Sequence, residues 1–194
     1  SSMEMSGGSI SENRTYDVSN DAYGGAIYIA DYEFISGVSG TQNAILPHEA
    51  SFSMTDGTIS KNTAVATGGA ILSFPQGDRE PGYERQTITI ETHGGTIFNN
   101  TTENGHGGGI AMYYPESHLL ISEGSVISEN KAPAGDGGGL YLFGVTDAKV
   151  TGTIRNNTAQ DGAGAYLGAL YENGSYRGSQ LQLSGNGNII ENDA

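Results

Sequence analysis

The sequence predicts an all-β solenoid: a parallel β-helix with three short strands per coil, about five full coils and a partial one. Three observations carry that reading. A motif of Gly, any residue, Ile, two residues and Asn returns at 8–13, 57–62, 95–100, 152–157 and 187–192, and at 124–130 with one extra residue. After each of the first five copies comes a Gly-rich corner and a short apolar run: Gly24-Gly25-Ala26-Ile27, Gly68-Gly69-Ala70-Ile71, Gly108-Gly109-Ile110, Gly138-Gly139-Leu140 and Gly162-Ala163-Gly164-Ala165-Tyr166. Before each Gly of the motif lies a short segment in which apolar residues recur with period two. A long-period repeat of this kind implies units that bury their apolar faces only by stacking.

Taken in order, the first strand is Met3-Glu4-Met5, Phe52-Ser53-Met54, Ile88-Thr89-Ile90, Leu119-Leu120-Ile121, Ala148-Lys149-Val150 and Leu181-Gln182-Leu183. The second is the Gly-x-Ile segment. The third follows the Gly-rich corner, as in Ile27-Tyr28-Ile29 or Leu140-Tyr141-Leu142. Runs of three to five residues with period two are strands, and no window long enough for a helix keeps a 3.6-residue period. Stacking predicts three interior columns. They are Met5, Met54, Ile90, Ile121, Val150 and Leu183; then Ile10, Ile59, Ile97, Ile154 and Ile189; then Ile27, Ile71, Ile110, Leu140 and Ala165. The motif Asn sits at a corner, where it tolerates unusual backbone angles and its amide bonds nearby backbone. Stacked Asn13, Asn62, Asn100, Asn130, Asn157 and Asn192 are expected to bond one another as amide ladders do.

Composition narrows the function. Glycine contributes 31 of 194 residues, without the triplet period of collagen. The formal net charge is −14, which argues against nucleic acid or an anionic membrane as partner. Cysteine is absent, so there is no disulfide or thiolate metal framework. No apolar run is long enough for a membrane helix, so no membrane insertion by this segment is expected. The last repeat stops just after Asn192, where a Gly-rich turn should follow. The expectation is one domain, 1–194, cut from a longer surface protein and flanked by repeats of the same chain.

The alternation of Gly-Gly-Ala-Ile with an Ile-x-x-Asn element resembles the repeats of chlamydial polymorphic membrane proteins. It also looks like the Gly-Gly-rich β-helix repeats of many bacterial surface proteins. Ile59-Ser60-Lys61-Asn62 and Phe98-Asn99-Asn100 stand where those repeats carry an aliphatic or aromatic residue and Asn. The resemblance covers essentially the whole chain. It implies a right-handed β-helix, secreted and displayed at a bacterial cell surface, commonly in adhesion, and it carries no catalytic residues to transfer.

With the interior given to structure, function must come from outward faces and insertions. Successive motif asparagines, at 13, 62, 100, 130, 157 and 192, are separated by 49, 38, 30, 27 and 35 residues. The excess over the shortest spacing marks insertions at 31–50, 75–86 and 168–179, all after the third strand and so on one edge. Alternation turns Tyr28, Leu72, Ala111, Tyr141 and Tyr166 outward on that strand, followed by Ala30, Phe74, Tyr113 and Phe143. An exposed sheet face is ordinarily polar, and an aromatic stripe implies a cover or a partner. Tyrosine gives contact area at low entropic cost and stacks on sugar rings as well as on protein. The candidate ligand-binding residues are therefore Tyr28, Phe74, Tyr113, Tyr141, Phe143 and Tyr166, with Tyr32, Phe34 and Tyr83 from the insertions. The bland alternative is that the insertions, with Tyr32, Phe34, Tyr83 and Tyr171, fold back over the stripe.

The expected partner is a host glycan or surface protein, with no cofactor and no metal. The competing reading is a carbohydrate-active β-helix enzyme, either a polysaccharide lyase or a glycoside hydrolase. Such enzymes need clustered carboxylates on one face. Acids are plentiful (Glu33, Glu49, Asp78, Glu80, Glu84, Glu116, Asp147, Glu172) but show no repeated pair. Gly105-His106-Gly107 resembles a motif of pectin-degrading hydrolases, yet its glycines belong to the corner that all repeats share. His48, His93 and His118 have no metal-ligand spacing.

Overall fold

The computed structural model describes residues 1–16, 23–30, 49–74, 87–172 and 174–194. All regular structure among them is β-strand, and pairing is parallel everywhere except in one hairpin. Three sheets result, of ten, four and six strands. Each grows by placing the same element of successive repeats side by side, so the chain is a stack of parallel, repeat-equivalent strands.

The ten-stranded sheet holds both the first and the second segments of the repeats. The long strand Glu49–Ser60 runs through the motif glycine and joins the two ladders. The second interior column is formed as expected, with Ile10 beside Ile59, Ile59 beside Ile97 and Ile154 beside Ile189. Ile127 fills the level between Ile97 and Ile154. The extra residue of that repeat is absorbed at Gly124-Ser125, which puts Val126 rather than Ser125 in register with Thr96 and Thr153.

The first column needs one correction. Ile90 pairs with Phe52 and Leu119, while Thr92 occupies the level of Met54 and Ile121. A shift of two residues keeps the same side chains inward, so alternation reveals the face but not the level. The consequence is a hydroxyl in an apolar column: Thr92 is buried and its Oγ1 has no hydrogen-bond partner. Around it Phe52, Met54, Ile59, Ile90, Ile97, Ile121 and Ile127 are almost wholly buried, each contributing about 1.5–3 kcal/mol of burial.

The four-stranded sheet was not expected. It follows the motif asparagines as Thr63–Ala64, Thr101–Thr102, Lys131–Asp136 and Thr158–Asp161. Thr63–Ala64 and Thr101–Thr102 are too short for alternation to announce them, and the longer Lys131–Asp136 and Thr158–Asp161 carry no large apolar residue to mark a period. Their inward residues Ala64, Thr102, Ala132 and Ala159 are small and buried, so the chain passes close to the core there.

At the corner between these sheets the asparagine ladder forms completely. Nδ2 of Asn13, Asn62, Asn100, Asn130 and Asn157 each donates to Oδ1 of the next asparagine at 2.8–3.0 Å. The backbone N–H of each donates to the same oxygen. The second Nδ2 proton reaches a neighbouring-repeat carbonyl, as from Asn100 to Ile59 and from Asn130 to Ile97. Asn62, Asn100, Asn130 and Asn157 are fully buried and fully bonded, which is the condition for keeping a polar column in a core. The unusual backbone angle falls not on the asparagine but on the residue before it. Glu12, Lys61, Asn99, Glu129, Asn156 and Glu191 all have φ between 53° and 61°.

The six-stranded sheet carries the third segments: Ile27–Ile29, Ile71–Ser73, Ile110–Tyr113, Leu140–Phe143 and Ala165–Glu172. Its interior column matches expectation, since Ile27, Ile71, Ile110, Leu140 and Ala165 pair in series. The last strand continues into an antiparallel hairpin with Ser175–Gly178, which is the described part of the 168–179 insertion. In the 31–50 insertion, Glu49 and Ala50 already belong to a strand. The remainder, 31–48, and all of 75–86 lie outside the described residues.

Candidate functional site

A Gly-rich corner feeds each strand of the six-stranded sheet. Gly24, Gly68, Gly107, Gly137 and Gly162 adopt φ between 57° and 74°, left-handed turns that glycine makes without strain. At Gly107 and Gly137 a Cβ would also run into the backbone of the following strand. Beyond the turn the chain alternates, so every second residue faces away from the core.

These outward residues form a second apolar layer. Leu72, Ala111 and Tyr141 are its buried centre, and Phe74, Tyr113, Phe143 and Tyr166 pack around them. Ring centroids of Phe74 and Tyr113 are 5.2 Å apart, edge to face, and Tyr113 lies 5.5 Å from Tyr141. Tyr141 stacks on Tyr166 at 5.2 Å with 6° between planes, and lies parallel to Phe143 at 6.0 Å. Aromatic pairs of this kind add about 0.5–1.5 kcal/mol each beyond their burial. Gly168 is the notch that permits it: a Cβ there would meet the rings of Phe143 and Tyr166.

Six of the nine sequence-derived candidates therefore stand on one face, though not in equal positions. Tyr28 is 41% exposed, and its ring lies 6.3 Å from that of Tyr23. Phe74, Tyr113, Phe143 and Tyr166 are half-buried. Tyr141 is only 6% exposed, so its ring supports the layer rather than offering a face to a ligand. The reason is local packing: Tyr113, Phe143 and Tyr166 flank it, and His106 covers its remaining side. Tyr32, Phe34 and Tyr83 lie outside the described residues. Tyr171 does not fold back over the stripe. It pairs with Tyr176 at 4.8 Å on the hairpin, where the two are 58% and 76% exposed.

Burial has a chemical signature. Desolvation pushes the Tyr113 phenol up to about 12, against a hydrogen bond from Thr67 that pulls the other way. Desolvation, reinforced by the neighbouring Tyr113, Tyr166 and Asp136, raises the Tyr141 phenol further. Both stay neutral donors through the physiological range.

Sequence reasoning missed the column that borders the layer. The residues just before the left-handed glycines are Tyr23, Thr67, His106, Asp136 and Asp161, and the latter two are register partners. The His106 ring stacks on Tyr141 at 4.5 Å and 18°. Its Nδ1 accepts the Asp136 N–H at 3.0 Å and lies 3.3 Å from Asp136 Oδ2. With Nδ1 so used, the neutral ring carries its proton on Nε2. The only sequence signal was position: a residue that varies between glycines that do not.

Tyr114 was also missed as a contact residue. Its φ is 77°, costly for a bulky side chain, and its ring packs on Phe74 at 5.5 Å. The equivalent position one repeat later is Gly144, with φ 76°. A strained non-glycine there adds an aromatic ring to the face, the kind of outlier that accompanies function.

The chain matches no family model, no curated protein and no solved structure. Nothing beyond its own geometry therefore assigns this face. Elsewhere, His93 pairs with Glu91 and His118 with Asp147, and His48 lies outside the described residues. Among the described residues no three His, Asp or Glu side chains gather as a metal site.

Proposed function

We propose that this chain is a right-handed parallel β-helix whose coils carry the three strands read from the sequence plus the short segment after each Asn. In this reading it serves as a non-catalytic adhesin or stalk segment, secreted and displayed on a bacterial surface. It binds a host glycan or surface protein through the loop-bearing edge and the aromatic face. The observation that carries the reading is the ring layer on the outside of a parallel sheet, with Tyr28, Phe74, Tyr113, Phe143 and Tyr166 partly open. A sheet face exposed only to water would not need it. Flat rings offering both CH-stacking surface and phenolic hydroxyls suit a pyranose.

The test is a binding screen against a broad glycan array, mucin and matrix proteins, repeated with Tyr28→Ser/Tyr166→Ser. A specific, saturable ligand is expected, weakened at least tenfold in the double variant with the β-sheet circular dichroism unchanged. No saturable ligand from a folded protein, or equal binding by the variant, would overturn the reading. The second reading, a carbohydrate-active enzyme, is favoured by one feature: Asp136 and Asp161 sit on adjacent repeats beside the rings. It requires release of soluble sugar from the bound polymer.

A further inference from the structure

The aromatic face has a charged border of one sign. Asp136 and Asp161 stand in register along its rim, and the Asp161 side chain is exposed with no hydrogen-bond or ion-pair partner among the described residues. The strands that carry the rings hold no Lys or Arg. Among the described residues, Arg14 is engaged with Glu103 and Arg177 is on the projecting hairpin. Lys131 begins the strand Lys131–Asp136, at the end away from Asp136, and Lys61, Lys149 and Arg155 belong to other strands and corners. The chain as a whole carries −14.

From this rim we infer that the face selects uncharged pyranose chains and rejects acidic ones, those ending in sialic acid or built from uronic acids or sulfated sugars. The inference rests on the glycan reading above and names the ligand class of that same face. A ring stacked on Tyr166 or Phe143 brings its equatorial hydroxyls against the rim. There the Asp136 and Asp161 carboxylates accept hydrogen bonds and His106 Nε2–H donates one. Charged acceptors make stronger bonds to hydroxyls than neutral ones do. A ligand carboxylate or sulfate at the same place finds no cation to pair with among the described residues and two like charges beside it. Discrimination is thus built from a repulsive element as well as an attractive one. It must fade with salt, because the opposing charges are partly exposed and screened within about 8 Å at physiological ionic strength.

The experiment compares matched glycans with and without terminal sialic acid, at low and high salt, for the parent chain and Asp161→Lys. The uncharged glycan is expected to bind the parent at least tenfold tighter at low salt, with the ratio shrinking as salt rises. Asp161→Lys should narrow or invert the preference, and because the site is exposed the fold should survive, as circular dichroism would report. If sialylated chains bind the parent as well or better, the inference is overturned while the glycan reading stands. Binding of neither glycan class overturns both. An unchanged ratio in Asp161→Lys removes the carboxylate rim as its cause.

Discussion

The two corners of the repeat are built on opposite plans. At the asparagine corner the same side chain returns in every repeat, is buried in the interior of the stack, and finds every donor and acceptor a partner. At the Gly-rich corner the glycines return, but the residue before them runs Tyr23, Thr67, His106, Asp136, Asp161, and all of these but the buried Thr67 stay partly open. The first corner cannot vary without orphaning a buried amide. The second can, because glycine backbone makes the turn and places no demand on the identity of the neighbouring side chain. A repeat protein thus separates the positions that hold the stack from those on which recognition can be written.

The largest expected effect breaks the first plan. Asn130→Asp is nearly isosteric, but it turns the Nδ2 donor into an acceptor facing Asn157 Oδ1 and Ile97 O. An uncompensated buried charge costs about 3–5 kcal/mol, read as a shift in the denaturation midpoint at neutral pH. Acid should recover part of the loss, since the protonated carboxyl donates again. Equal stability of the two proteins at neutral pH would mean that the ladder is ornament. The next effect sharpens the second plan through pH. Tyr113, tied to Thr67 of the variable column, is held at about 12 against 10.0 for a free phenol. A raised pKa contributes stability in full below pH 10, and that contribution is lost as pH rises through about 12. Late phenolate absorbance should therefore coincide with loss of β-sheet signal, and an early, separate titration would show the ring layer to be open. The smallest effect returns to the first corner. Glu129, exposed and at φ 56°, gains nothing visible from its left-handed angle. Glu129→Gly removes about 1–2 kcal/mol of strain and adds about 0.5–1 kcal/mol of chain entropy cost, for a net gain of up to about 1.5 kcal/mol. A loss of stability would place an unrecognised role on that side chain.

What could be read from the sequence follows the same division. The Ile column and the Asn ladder were legible because one residue type marks one place in each repeat. The level of Ile90 was not, because period two fixes a face and not a height, and Thr92 took the place an aliphatic residue was expected to hold. The left-handed residues before the asparagines were illegible because Glu, Lys and Asn share no signal. The outward aromatic stripe was legible from alternation. The buried state of Tyr141 was not, because it depends on the sizes of Phe143, Tyr166 and His106, which stand on neighbouring segments. His106 itself was hidden by glycines that explained its surroundings too well.

The asparagine ladder also sets a rule of modularity. It runs one way, each amide giving to the next, and it is indifferent to how much chain lies between two rungs, from 27 residues to 49. Excision or duplication of a whole rung-to-rung unit such as 131–157 leaves every remaining amide matched, whereas a cut within a unit does not. The repeat is therefore the quantum by which this chain can lengthen, shorten or shuffle its outer face while its axis stays intact.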